Sequence, residues 1–194
     1  MIRFLLPLGC ALALSGCLSF GATPPPTLMT LTAATPVAVG QAQSSATSPS
    51  ILILVPSVPQ SLATARVPVQ ASDTSVAYLK GAQWVEPPAR LFARLLADTV
   101  TARTGRVVLS TAQSASDPGA TLNGELRNFG AVGATSEVVV TFDASLIRGG
   151  QAAVEKRRFE ARLPVAAIEP GAVAVALNQA ANEVTGEIAD WVGR

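Results

Sequence analysis

Two segments of alternating apolar and polar residues, joined by a pair of glycines, lie in the second half of the chain. Alternation with a period of two is typical of a strand that buries one face. Gly149-Gly150 accept the positive φ angles that a two-residue hairpin turn requires. We therefore predict an antiparallel hairpin of residues 137–147 and 152–163 that needs a cover on one face. Its inward positions are Val138, Val140, Phe142, Ala144, Leu146, Ala153, Phe159, Ala161 and Leu163.

Two amphipathic helices can provide that cover. Pro87-Pro88 stands where a first helical turn tolerates proline, and Gly105 stands where a helix-ending glycine belongs. Between them the polar face carries Arg94 and Asp98, which we expect to form an i,i+4 pair. A second helix, residues 170–192, also opens on a proline. The apolar stripes are Leu91, Phe92, Leu95, Leu96 and Val100 in the first helix, and Val173, Leu177, Ala181, Val184, Ile188 and Trp191 in the second.

The remaining strand candidates precede the hairpin. The unbroken apolar run 51–55 indicates a strand that is buried on both faces. Strands, a helix, more strands and a final helix predict a single α+β domain, with a mixed, mostly antiparallel sheet and two main amphipathic helices packed on it. The other predicted strands are residues 67–70, 75–79, 83–85, 106–110 and 121–129.

The start of the chain looks like the leader of a bacterial lipoprotein precursor. Arg3 precedes a short apolar run, and Leu14-Ser15-Gly16-Cys17 has the form of a lipobox. The run is shorter than the roughly 20 apolar residues of a membrane-spanning helix. We expect residues 1–16 to be a removed signal peptide, with cleavage between Gly16 and Cys17 and anchoring acyl chains on Cys17. An ordinary secretory signal with a chance cysteine is the alternative.

After the leader, the chain has no charged residue before Arg66. Its polar, proline-spaced composition is typical of a tether. Residues 27–32 alternate partially and form a candidate edge strand. We assign residues 17–26 to a lipidated tether and residues 27–194 to the folded domain, with a flexible stretch that reaches about residue 50 as the open alternative.

The composition argues against several kinds of chemistry. The chain has no histidine, which is the commonest general base and metal ligand, and its formal net charge is +1. A nearly neutral chain lacks the basic surface on which nucleic-acid affinity rests. We expect no enzymatic activity, no metal, no cofactor and no nucleic-acid partner.

Three parts of the sequence carry a family resemblance. The first part is the lipobox, followed by a proline-rich tether and a short strand. The second part is residues 51–56, followed by Val76-Ala77-Tyr78 and then by residues 84–91, Trp-Val-Glu-Pro-Pro-Ala-Arg-Leu. The third part is the hairpin with the closing helix. Together they resemble the ABC-type transport auxiliary lipoproteins of the paraquat-inducible protein C kind. One departure is Leu28-Met29, where the family often shows a tyrosine pair.

The resemblance implies a periplasmic lipoprotein, anchored through acylated Cys17 in the inner leaflet of the outer membrane of a diderm bacterium. Its partners would be a mammalian-cell-entry-type protein with its ABC permease and ATPase. Such systems move phospholipid or other hydrophobic molecules between the two membranes. Two alternatives stay open: a lipid-binding carrier with a groove between sheet and helices, and a structural envelope lipoprotein that regulates a cell-wall enzyme.

Four residues are candidate contacts for a partner or a lipid. Tyr78 and Trp84 could form an amphipathic contact surface, although packing of Trp84 between the sheet and the first helix is favoured. Glu86 could face a partner, but a carboxylate at the positive end of a helix explains it as well. Arg158 lies on a basic hairpin face that could meet headgroups or an acidic partner, with a merely solvated face as the favoured alternative.

Overall fold

The computed structural model describes residues 27–40, 42–113 and 118–194, so Gly16 and Cys17 lie outside the described residues. Within these ranges, two long helices pack on one seven-stranded mixed sheet. The single α+β domain predicted from the sequence is confirmed. The strands are β1 (Ser50–Ile53), β2 (Arg66–Ser72), β3 (Ser75–Gln83), β4 (Val107–Leu109), β5 (Ala120–Val132), β6 (Glu137–Arg148) and β7 (Val154–Pro164), and the helices are α1 (Pro88–Thr104) and α2 (Pro170–Val192).

β5 is the strand around which the sheet is organised. Along one edge it pairs antiparallel with β6, which pairs in turn with β7. The other edge is shared: β1 runs parallel to the first part of β5, and β2 runs parallel to its last part. β4 extends the sheet beyond β1, and β3 extends it beyond β2. The sheet therefore forks along one edge of β5.

Both helices cover the same face of the sheet. In β6 the even-numbered side chains Val138 to Leu146 are at most 2% exposed, as their alternation predicts. They pack with the apolar stripes of α1 and α2 in one core. α1 begins at Pro88 and ends at Thr104, and it is followed by Gly105, whose φ of 68° is the left-handed conformation that glycine adopts most readily.

Some local expectations differ from the structure; one is Ala153, which is exposed and precedes β7 instead of facing inward. Residues 75–79 and Gln83 belong to one strand, β3, because a bulge at Gly81, with φ of 73°, absorbs the intervening residues; β3 ends at Gln83, so Trp84 and Val85 lie beyond it. The apolar run is buried only at its start: β4 ends opposite Leu52, and beyond it Val55 is 59% exposed. Arg94 forms its ion pair with Glu86 and not with Asp98.

Candidate functional site

The face of the sheet that the helices leave open carries most of the hairpin's charged residues, and Asp143 lies at its centre. Arg158 donates two hydrogen bonds to this carboxylate, of 2.6 Å from Nε and 2.7 Å from Nη2. Arg127 approaches the same carboxylate to 3.4 Å. The hydrogen bond from Arg158 is the main reason that the pKa of Asp143 lies below its ordinary value.

A second cluster lies beside the first, around Glu160. The hydroxyl of Thr141 and Nε of Arg162 each donate a hydrogen bond of 2.7 Å to the Glu160 carboxylate. These bonds, with Thr141 as the larger cause, lower the pKa of Glu160. Asn128 Nδ2 completes the cluster by donating to Thr141 Oγ1 at 3.1 Å. Both carboxylates are thus stabilised in the ionised form by neighbouring donors.

A small hollow lies on this open face, and Asp143 does not line it. A row of neighbouring positions crosses five strands, through Tyr78, Pro68, Gly130, Val139 and Arg162. Gly130, at the middle of the row, has no side chain and lies against the carbonyl of Pro68, so the surface of the sheet is depressed there. The hollow measures about 150 Å³. It is smaller than the 300–1,000 Å³ or so of typical small-molecule sites.

The space between the sheet and the helices is filled by aromatic side chains. Trp84, Phe92, Phe129 and Phe142 are all at most 2% exposed. Their rings pack in a chain of contacts, with centroids 5.2–6.5 Å apart. A groove for an acyl chain at this level would require these rings to move apart.

The four candidate contact residues are scattered over the molecule. Trp84 lies in the core, which is the packing alternative of the sequence analysis. Tyr78 is half-buried on β3, where the Arg66 guanidinium lies 3.7 Å from its ring centroid and its hydroxyl donates to Ser61 O at 3.4 Å. Glu86 precedes α1 and pairs with Arg94. Of the four, Arg158 alone lies in the charged cluster of the open face.

An extended segment that includes the candidate edge strand, residues 27–32, packs beside α2. We call residues 28–34 the strap. Asn178 Oδ1 accepts a hydrogen bond from the Thr32 amide at 2.8 Å, and Asn182 Oδ1 accepts one from the Ala34 amide at 2.7 Å. Farther back, Met29 forms a single parallel bridge with Trp84. The sequence analysis did not predict this contact. The feature that could have indicated it is the spacing of Asn178 and Asn182, four residues apart on one helix.

Two searches of the described residues concern other kinds of site. No group of three or more cysteine, aspartate or glutamate side chains in the described ranges is arranged to hold a metal ion. Among the same residues, neither helix has the length and hydropathy needed to span a membrane.

Comparison with known proteins connects this fold to one family. The family model for the ABC-type transport auxiliary lipoprotein component matches residues 30–189. The fold is also similar to a crystal structure of an uncharacterized protein, at 24% identity and a TM-score of 0.65 over 74% of this chain and 92% of that one. A DUF330 protein from Xanthomonas campestris matches at 21% identity and a TM-score of 0.64, over 88% and 93% of the two chains. No curated protein matches the sequence.

Proposed function

Because the chain belongs to the ABC-type transport auxiliary lipoprotein family, we propose that it is a non-enzymatic subunit that docks the periplasmic part of such a transporter. The observation that carries the proposal is the extent of the family match, which runs from the strap through most of α2. The family assignment therefore applies to the whole folded domain. Cys17, twelve residues ahead of the domain's first bridge at Met29, is where we place the acyl anchor.

The finer parts of the proposal concern membrane and cargo. We place the anchor in the inner leaflet of the outer membrane, with a mammalian-cell-entry-type protein as the partner and phospholipid or another hydrophobic molecule as the cargo. The mechanism is positional: Cys17 fixes the subunit to one membrane, and the folded domain receives the partner. The aromatic core supports docking over lipid carriage, because it fills the space that an acyl chain would need.

The open face of the sheet is the surface that we propose for the partner. The carboxylates of Asp143 and Glu160 accept hydrogen bonds from Arg158 and from Thr141 and Arg162, which gives a polar pattern that a partner could complement. The proposal of a non-enzymatic role rests on the same pairing. A general acid or base needs a pKa near the working pH, whereas the pKa values of Asp143 and Glu160 are lowered.

Crosslinking in cells tests the docking role. The native lipoprotein is crosslinked and purified, and the proteins held by it are identified, with Cys17→Ala as the control that lacks the acylation site. We expect a mammalian-cell-entry-type protein with the native chain and its loss with Cys17→Ala. Recovery of cell-wall enzymes alone would contradict the proposal and favour the envelope-regulator alternative.

A variant on the open face sharpens the experiment. Arg158→Glu reverses the charge beside Asp143 while it leaves the core untouched, and we expect it to reduce partner recovery severalfold. Arg90→Glu, an exposed charge reversal on α1, is the matched control. Equal recovery with both variants would exclude the open face as the docking surface.

A separate assay with a fluorescent acyl probe tests whether the domain carries lipid, and we expect no stoichiometric binding of the probe by the domain.

A further inference from the structure

Two charge-poor stretches of the sequence, far apart along the chain, meet on one side of the molecule. Residues 27–65 contain no charged side chain, and between residues 163 and 182 Glu169 is the only one. The first stretch supplies the strap, and the second supplies the end of β7 and the first half of α2. The hydrogen bonds of Asn178 and Asn182 to the strap bring the two stretches together.

The strap runs in the same direction as α2. Thr32 is bound at Asn178 and Ala34 at Asn182, so both chains advance together. Four residues of extended chain cover about 13 Å, and eight residues of helix about 12 Å. Leu28 is therefore level with the first turn of α2. The contact of β3 with that turn agrees, since a Cβ on Gly81 would lie 3.9 Å from Pro170 Cγ.

The surface formed in this way is apolar and exposed. Val175 projects from α2 with 72% of its surface exposed, and Leu28 of the strap is 48% exposed. An open hollow of about 660 Å³, lined by uncharged residues, lies between α2 and the chain that follows β7. We call this surface the uncharged face; it consists of the strap, residues 163–166 and the α2 positions Ala172, Val175 and Gln179.

The tether enters the domain at the edge of this face. Thr27, the first described residue, lies next to Leu28 and follows Cys17 by ten residues. Ten residues reach at most about 35 Å. A link of this length gives the domain an effective concentration at the membrane in the millimolar range, so even a weak apolar contact with lipid would be populated.

We propose that the uncharged face lies against the lipid surface that holds Cys17. The inference rests on the anchor assigned under the proposed function. A lipid surface suits the face because burial of exposed apolar side chains such as Val175 and Leu28 is favourable and no ion pair has to be desolvated. Since α2 covers one face of the sheet, the charged open face then points away from the membrane, toward a partner.

Site-specific labelling of the full-length acylated lipoprotein tests this orientation. With Cys17 acylated and Cys10 in the leader, an introduced cysteine is the only thiol for an environment-sensitive fluorophore. Val175→Cys reports on the uncharged face, and Lys156→Cys, an exposed position on β7, is the matched control. The protein is reconstituted in vesicles of phosphatidylethanolamine and phosphatidylglycerol, with and without brominated lipid as quencher.

We expect brominated lipid to quench the label at position 175 at least twofold and the label at position 156 hardly at all. Quenching should not change between low and high salt, because the uncharged face offers no cation to the headgroups. Equal quenching at both positions, or salt-sensitive quenching at position 156 alone, would overturn the proposal. Burial of the label at position 175 that increases with protein concentration in the absence of lipid would also overturn it, because such burial indicates that a second copy of the chain covers the face.

Flotation separates this inference from the proposed function. If the unmodified lipoprotein floats with the vesicles, Cys17→Ala does not, and the label at position 175 stays in water, the anchor stands and the orientation is wrong. Failure of the unmodified lipoprotein to float would overturn the anchor and the orientation together.

Insertion of a charge is a second test. Val175→Asp at this exposed position should leave the fold intact and abolish the quenching, by brominated lipid, of a fluorophore attached at Ala172→Cys.

Discussion

At the scale of single residues, Trp84 combines a favourable and an unfavourable contribution to stability. Its ring is 1% exposed and packs against Phe129 with centroids 5.4 Å apart. Its Nε1 is buried without a hydrogen-bond partner among the described residues. A buried polar group without a partner costs about 1–3 kcal/mol. The indole is thus retained for its apolar bulk and not for its N–H group.

Replacement of Trp84 tests this division. Trp84→Phe removes the unpartnered N–H and keeps an aromatic contact with Phe129, so we expect it to lower the free energy of unfolding by no more than about 1.5 kcal/mol. Trp84→Ala leaves a cavity, and we expect a loss of about 3–5 kcal/mol. Urea unfolding measures both. Equal losses would contradict the view that the apolar bulk of the ring is what stabilises the fold.

Asp143 and Asp98 should respond to pH in opposite directions. Hydrogen bonding from Arg158 lowers the pKa of Asp143, so its stabilising effect is complete above the unfolded pKa of about 4 and is lost as pH falls through the lower folded value. Burial raises the pKa of Asp98, so its ionisation on α1 destabilises the fold as pH rises. At pH 7 we expect Asp143→Asn to lower stability and Asp98→Asn to raise it.

The measurement is urea unfolding of both variants and the parent chain between pH 3 and pH 7. The difference between Asp143→Asn and the parent should begin to shrink as pH falls below the unfolded value of about 4, because the stabilisation is lost as pH falls toward the lower folded pKa. The gain from Asp98→Asn should also shrink at low pH. A loss for Asp143→Asn that is independent of pH would mean that shape and not charge is what the side chain contributes.

At the scale of elements, the strap depends on side chains of α2 for its backbone hydrogen bonds. Asn182 serves it twice, since Oδ1 accepts from Ala34 and Nδ2 donates to Thr32 O at 3.0 Å. Met29, Leu31 and Ala33 turn inward in alternation and pack against the core. The strap therefore behaves as a short strand whose partner is in part a helix.

Loss of the Asn182 carboxamide should free the strap without unfolding the domain. In Asn182→Ala we expect amide exchange at Ala34 to accelerate at least tenfold, while the free energy of unfolding falls by about 1–2 kcal/mol. Gln179→Ala is the control, because Gln179 bonds to Glu183 on the same helix. Hydrogen exchange followed by mass spectrometry measures both. Unchanged exchange at Ala34 would show that the carboxamide does not hold the strap.

At the scale of the whole molecule, features with a regular period could be predicted and features that depend on distant contacts could not. Both helices, the hairpin and the α+β class follow from periodicity and from proline and glycine at helix ends. The bulge at Gly81 and the partner of Arg94 could not be predicted, because each depends on how separate segments meet. For the same reason, the candidate contacts Tyr78, Trp84, Glu86 and Arg158 were found to lie in four different surroundings.

The boundary of the folded domain is the remaining property of the whole molecule that can be tested. The strap contributes three inward apolar side chains and the backbone bonds from Met29 to Gln83 O, of 2.8 Å, and from Val85 to Met29 O, of 2.9 Å. Its removal should therefore cost stability even though β1 begins only at Ser50. A chain that starts at Thr27 keeps all of these contacts, whereas a chain that starts at Pro49 loses them.

We expect the chain from Thr27 to unfold at the same urea concentration as Cys17→Ala mature protein, which shares its lack of an acyl anchor. The chain from Pro49 should be less stable by about 2–4 kcal/mol, the sum of partly buried apolar area and a few hydrogen bonds less the entropy of ordering the strap. Equal stability of all three chains would place the start of the folded unit at β1 and make the strap part of the tether. In that case the tether would be more than twice as long, and the effective concentration that favours contact with the membrane would fall accordingly.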